Sequence, residues 1–438
     1  MDEHGGGHER LLGDLLDASH TLSMEQLPGT VAGRAARAGL HDTLIYLADV
    51  RQEVVRLLTG SGPGAKLRAD GEPAELRIDG TLPGRAFQTG QVLSVTGAGG
   101  GGRYRWWTPL LDGTERIGVL RADTDTADER TRTLLWRLAS LVALLVVSKR
   151  PHSDSGARLV RTRPMTVAAE MQWNLMPPQT FSNDEVTISA SLEPAYEVSG
   201  DAFDYGLTGG VVHLAVFDAM GHDTAAGLTA NLAVAACRNH RRQGAGLDTL
   251  GERIEQTLLS QFGHDRFVTA VLAELDTRTG VFCWANHGHH LPVLIRGGRW
   301  ATDLACRPGH PLGSDLGLRT TLCQERLQPG DRVVLYTDGI LEARDSLGRE
   351  FGLERFTDFL IRHHTDDLPV PETLRRLSRR VMAYHHGSLQ DDATVLLTQW
   401  HGPGQAPSGA ASDGLGRTGS WRQLRGRPET APRPPLRP

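Results

Sequence analysis

The chain has 438 residues, of which 39% are hydrophobic and 23% charged, with a formal net charge of −5. That length exceeds what one hydrophobic core usually serves, so two domains are expected, and the composition excludes a wholly disordered or fibrous chain. The acidic balance, with no basic run on a reading motif, excludes nucleic acid as an expected partner. Cys237, Cys283, Cys306 and Cys323 form no CxxC pair, and reduced thiols in a cytoplasmic protein are expected. The N-terminus, MDEHGGGHERLLGDLL, starts acidic and has no basic-then-apolar leader, so no signal peptide is expected.

Residues 9 to 40 carry Leu11, Leu12, Leu15, Leu16 and Leu22 at helical spacing. Short alternating strands follow: TLIYLADV from Thr43, EVVRLL from Glu53, QVLSV from Gln91, RWWTPLL from Arg105 and RIGVLRAD from Arg116. A long helix is predicted from about Asp128 to Lys149. Its apolar part, Leu138 to Val147, is about half the ~20 residues a membrane-spanning helix needs, so a buried or dimer-forming helix is expected and membrane insertion is not. Helix, antiparallel strands and helix make an α+β unit over residues 1–150. The order, and the ending TPLLDGTERIGVLRADT, resembles a GAF domain, which implies a role in ligand sensing or dimerisation. His41 alone is a poor haem candidate, and the glycine run Gly97 to Arg103 lacks the order of a phosphate loop.

A helical linker over 151–180 is expected to run on through HSDSGARLVRTRP into MTVAAEMQWNLMPP, stopping at Pro177 and Pro178. Between 181 and 400, strands such as VTISASLE, VVHLAVFD, FVTAVLAEL, GVFCWAN and RVVLYTD accompany helical regions at 225–261 and 352–386. Grouped helices and many antiparallel strands indicate a layered α+β domain. The tail, 401–438, is rich in Gly, Pro, Ser and Ala without apolar periodicity and is expected to be disordered.

Four aspartates stand at strand ends or turns: Asp201 in VSGDAFDYG, Asp218 in AVFDAMGHD, Asp338 in LYTDGI and Asp391 in LQDDAT. An Asp beside Gly is ordinarily a turn residue. Four in matching surroundings instead suggest a carboxylate cluster, which repels itself unless a hard divalent cation sits in it. No HExxH or paired Cys/His spacing supports zinc.

These segments, with AAEMQWNLMPP, FDAMGHDTAAGLTA, NHGHHLPVLI, HPLG and LQPGDRVVLYTDGILEARD, resemble the PPM (protein phosphatase 2C-like) family and its SpoIIE-type branch. The resemblance implies an α-β-β-α sandwich with two Mn²⁺ or Mg²⁺ ions, serine/threonine phosphatase activity, and Asp201, Asp218, Asp338 and Asp391 as the catalytic set. Asp218 would bridge both ions, Asp201 and the Ala219 carbonyl would hold one, and Asp338 and Asp391 the other. Asp204 and Asp392 would support them indirectly. His222 would either donate a proton or shape its loop, and Asn286 and His289 would hold a strand turn. Ser199 replaces one of the usual glycine pair before the first Asp, Ala202 the usual aromatic after it, and Asp223 a common glycine. The implied substrate is a phosphorylated anti-sigma-factor antagonist, and a homodimer through the linker helices is expected. A docking module without turnover and a small phosphate-ester hydrolase fit the same residues.

Overall fold

The computed structural model describes residues 3–60, 73–96, 103–221, 223–365, 368–385 and 391–403. The tail beyond 403, most of the Gly97–Arg103 run and His222 lie outside them.

The first unit opens with helices α1 (Glu3–Ser19) and α2 (Leu27–Arg37), then β1 (His41–Ala48), β2 (Val54–Leu57) and β3 (Glu75–Arg77). Helix α3 (Leu82–Thr89), β4 (Leu93–Thr96), β5 (Tyr104–Asp112), β6 (Glu115–Thr124) and α4 (Glu129–Lys149) complete it. The strands make one antiparallel sheet in the order β3-β2-β1-β6-β5-β4. Side chains alternate across it, as the two-residue strand period requires. Ile45, Leu47 and Trp106 pack with α1, α2 and α4, while Tyr46 and Trp107 pack with Phe87 of α3. Helix α4 is capped by Asp128, whose carboxylate accepts the Thr131 N–H at 2.8 Å. It is long and apolar enough to cross a bilayer by composition, but Leu135, Leu138, Val142 and Val146 are buried among α1, α2 and the sheet.

The continuous helix expected beyond Lys149 is broken. Pro151 sits in a short turn, and Ser153 starts a new helix α5 (Asp154–Val160) by accepting the Gly156 N–H. Residues 161–166 are not helical, and Thr166 caps a separate helix α6 (Val167–Leu175). The Val50 N–H donates to the Val160 carbonyl, and Arg56 donates to the carbonyls of Leu159 and Arg161, tying the linker to the first sheet.

The second unit continues with β7 (Thr180–Ser182), β8 (Val186–Glu193), β9 (Asp201–Thr208), β10 (Val211–Ala219), α7 (Thr224–Arg242), α8 (Leu247–Phe262), β11 (Val268–Asp276) and β12 (Val281–His287). Then come β13 (Val293–Arg296), β14 (Trp300–Asp303), β15 (Leu322–Arg326), β16 (Arg332–Tyr336), α9 (Asp338–Glu342), α10 (Gly352–Thr365), α11 (Val370–Tyr384) and β17 (Ala393–Trp400). One sheet runs β15-β12-β11-β10-β9, the other β14-β13-β16-β17-β8-β7. Ile188, Phe203, Phe217, Phe282 and Leu396 belong to a core that also takes in α7 and α8, while α10 and α11 pack on the second sheet through Phe356, Leu360, Leu374 and Leu377. This is the α-β-β-α order expected.

The cysteine expectation is corrected. Cys306 and Cys323, 17 residues apart, form a disulfide, and Cys237 and Cys283 are free. The pair escapes spacing rules because the fold brings them together. Cys306 follows β14 of one sheet and Cys323 lies in β15 of the other.

Candidate metal centre

Strands β9 and β10 pair so that Asp201 stands directly opposite Asp218 at the end of the sheet. Like charges in that register are unfavourable. From the other sheet, Asp338 opens α9 straight after β16, and Asp391 and Asp392 immediately precede β17, which pairs with β16. All these acids therefore reach one end of the sandwich. The electrostatics report the convergence: burial first, then the charges of Asp338, Asp391 and Asp392, push the Asp218 carboxyl up to about 7. Burial, then Asp218 and Asp392, push Asp201 well above the usual carboxylate range.

The backbone around the cluster is held from several elements. The Thr337 hydroxyl donates to Asp201 Oδ2 at 2.6 Å and accepts the Thr394 N–H at 2.9 Å, joining the two sheets. Gln172 of α6 donates to the carbonyls of Ser199 (3.0 Å) and Asp201 (2.6 Å) and accepts the Ser199 N–H at 3.1 Å. Neither residue stands out from composition; Thr337 adjoins Asp338 in LYTDGI and Gln172 lies in AAEMQWNLMPP. The glycines have steric reasons. A Cβ on Gly200 would lie 2.3 Å from the Gly221 carbonyl oxygen and 2.9 Å from that of Ala219. One on Gly339 would lie 2.0 Å from the Asp392 carbonyl oxygen.

Other expected residues take different places. Asp392 accepts the Gly200 N–H and so ties the two sheets at the cluster. Asp204 is corrected: it is fully buried, and both its oxygens are taken by Arg238 (2.6 Å) and Arg241 (2.8 Å) of α7. It lies three positions on from Asp201, so the strand period sends it to the opposite face. Asp223 caps α7 through the Ala226 N–H. Asn286 exchanges two hydrogen bonds with the His289 backbone. His289 bonds Thr269 and the Tyr336 carbonyl through its ring nitrogens, and burial, helped by His290, lowers it to about 4. Both hold the turn.

Among the described residues, no three His, Cys, Asp or Glu side chains are already gathered around one point. The chemistry of the donors nonetheless fits a hard divalent cation: the acids are all-oxygen ligands, Asp201 and Asp218 are desolvated, and the charges gathered around Asp218 repel it, so a cation would offset both costs. Asp201, Asp218, Asp338, Asp391 and the Ala219 carbonyl could hold it.

Residues 208–401 match the family described as Stage II sporulation protein E (SpoIIE). The phosphoserine phosphatase RsbU of Bacillus subtilis (strain 168) is 23% identical over 234 residues, covering 53% of this chain and 68% of that protein. The solved RsbU and RsbW domains of a Mycobacterium tuberculosis protein are 24% identical, with 50% of this chain and 62% of that one covered and a TM-score of 0.45. The SiaA-PP2C domain of Pseudomonas aeruginosa is 21% identical, with 53% and 94% covered and a TM-score of 0.45. The acid-lined two-sheet sandwich of the second unit thus carries a match to the SpoIIE family over residues 208–401 and is similar in sequence to a phosphoserine phosphatase.

Proposed function

We propose that this protein is a metal-dependent serine/threonine protein phosphatase of the bacterial cytoplasm, with residues 1–150 as a GAF-like sensor, 151–180 as linker and 181–400 as the catalytic domain. The observation that carries this reading is Asp218: it faces Asp201 in register and feels Asp338, Asp391 and Asp392 from the opposite sheet. In this reading Asp218 would be shared between two divalent ions, Asp201 and the Ala219 carbonyl would help hold one, and Asp338 and Asp391 would help hold the other. When bound, Mn²⁺ or Mg²⁺ supplies a water of lowered pKa and offsets charge on the phosphoryl oxygens. The chain's own residues orient the acids. Thr337 fixes the Asp201 carboxylate, and Asp392 holds the Gly200 turn against the second sheet.

The substrate is a phosphoserine or phosphothreonine of a regulatory protein, an anti-sigma-factor antagonist, in keeping with the resemblance to a phosphoserine phosphatase. A homodimer forms through α4 and the linker helices that follow it, where Leu144 of α4 is 55% exposed. The test is Mn²⁺-dependent phosphate release from a phosphoserine-bearing protein beside a small aryl phosphate, for wild type and Asp338→Asn. Release from the protein, lost in the variant, supports the reading. Hydrolysis of the small ester alone indicates a small-ester hydrolase, and partner binding without release indicates a docking module.

Gly339→Ala is expected to lower turnover about tenfold or more while the domain stays folded, because a misplaced site of about an ångström is enough. The added methyl has no room beside the Asp392 backbone. Turnover equal to wild type would show that this close approach is not needed.

A further inference from the structure

The first unit grips the phosphatase unit at the first turn of α11. Glu372 there is 1% exposed and accepts hydrogen bonds from three guanidinium groups. Arg116 of β6 donates from Nη1 at 2.5 Å, Arg375 from Nε and Nη2 at 2.9 Å each, and Arg376 from Nε at 2.9 Å. Arg116 also donates to Gln52 Oε1 (2.8 Å) and the Pro371 carbonyl (3.1 Å), and lies 4.9 Å from the Phe87 ring of α3. Arg375 reaches back to Asp79 Oδ1 at 2.8 Å and the Gln52 carbonyl at 3.3 Å. Gln52 is held at φ 53°, a left-handed conformation uncommon outside glycine, so the loop that presents it is constrained by these contacts. Burial alone would raise the Glu372 carboxyl, but the Arg375 hydrogen bonds and the charges of Arg116 and Arg375 hold it at about 2. Burial pulls the Arg116 guanidinium down from its usual value, while Glu372 opposes that pull. With Glu372 ionised against it, the pair is charged.

Such a network suits a contact that both holds and releases. A buried polar network demands a specific geometry, unlike an apolar patch that tolerates sliding. Separation strands no charge: Glu372 keeps Arg375 and Arg376 from its own helix, while Arg116 and Asp79 pass into water. The helix so gripped also leads to the acids. It packs on β8, where Ser378 and Ser191 hydroxyls meet at 2.6 Å, and Leu377 and Val381 share a core with Ala393 and Val395 of β17, the strand that Asp391 and Asp392 immediately precede. At about 1.5 Å rise per residue a helix transmits axial position with little give.

We propose that Arg116, Asp79 and Glu372 are positioning residues for phosphoryl transfer, through which the N-terminal unit sets the placement of α11 and hence of the Asp391–Asp392 segment. The proposal rests on the phosphatase reading above. Its test uses the full chain with Arg116→Gln, Arg116→Lys and the half-exposed Asp79→Asn, which perturbs the same network more gently. In metal-free protein, amide hydrogen exchange at residues 392–396 is expected to quicken about tenfold in Arg116→Gln, the signature of a local opening some distance from the substitution. In the phosphatase assay kcat falls and the Mn²⁺ concentration for half-activation rises severalfold, while KM for the phosphoprotein holds; Arg116→Lys lies between wild type and Arg116→Gln. Exchange changes confined to residues 79–88 and 371–376, with unaltered Mn²⁺ dependence, would reduce the network to interdomain glue and overturn the proposal. If wild type releases no phosphate at all, the phosphatase reading fails, and the exchange arm still decides whether the grip reaches Asp391–Asp392. If Arg116→Gln does not fold, Asp79→Asn decides by the same readouts.

Discussion

Asp218→Asn is expected to abolish Mn²⁺-dependent phosphate release, by about 10³-fold or more, and at the same time to make the metal-free protein harder to unfold. The first effect follows from removing a ligand charge from the proposed two-cation site, worth several kcal/mol of transition-state stabilisation. The second follows from the apo electrostatics. Burial and the charges of Asp338, Asp391 and Asp392 raise the Asp218 carboxyl from 3.8 to about 7. A carboxyl whose folded-state value lies above its unfolded value costs no stability below about pH 4, and its full cost is present above about pH 7. At about 1.4 kcal/mol per unit, and allowing for coupling to its neighbours, that cost is roughly 2–4 kcal/mol near pH 8. The apo Tm of Asp218→Asn at pH 8 should therefore exceed wild type by roughly 5–10 °C, and the gap should close toward pH 4. Added Mn²⁺ should raise the wild-type Tm and leave the variant nearly unmoved. A variant that keeps wild-type turnover, or one that melts earlier without metal, would remove Asp218 from the proposed site.

Asp204→Ala should do the reverse, costing about 3–5 kcal/mol of stability while leaving kcat per folded molecule close to wild type. The carboxylate is fully buried between Arg238 and Arg241, whose side chains are themselves only 19% and 10% exposed. Its loss leaves two guanidinium groups facing an apolar strand. Gly206 records the same fit, since a Cβ there would lie 2.7 Å from Arg241 Nη2. Urea unfolding monitored by circular dichroism, with turnover corrected for the folded fraction, separates the two roles. A stable variant with lost turnover would return Asp204 to an indirect supporting role at the proposed metal site.

Asp201 and Asp204 mark the boundary of what a sequence shows. Both lie in GDAFDYG, and side-chain chemistry alone makes them equal candidates. Strand periodicity sets them on opposite faces, yet which face meets the other sheet's acids is settled only by the pairing of β9 with β10 and the packing of α7. Thr337 and Gln172 were less legible still, because a hydroxyl and an amide acquire a role only from the atoms they reach. The broken linker was partly legible, since Pro151 and the capping residues Ser153 and Thr166 are local signals that outweigh apolar spacing.

By itself, then, the sequence determined the α+β class, most strands and helices, and the four aspartates at strand ends. Those depend on periodicity, turn chemistry and ligand type, all short-range properties of the chain. Only the tertiary structure decided the Cys306–Cys323 disulfide, the Arg238–Asp204–Arg241 cluster and the Arg116–Glu372 grip between units. Each joins side chains from separate elements, and Arg116 and Glu372 stand 256 residues apart. Whether such groups meet depends on how strands pair and layers stack, since a charge or thiol carries no local mark of its distant partner.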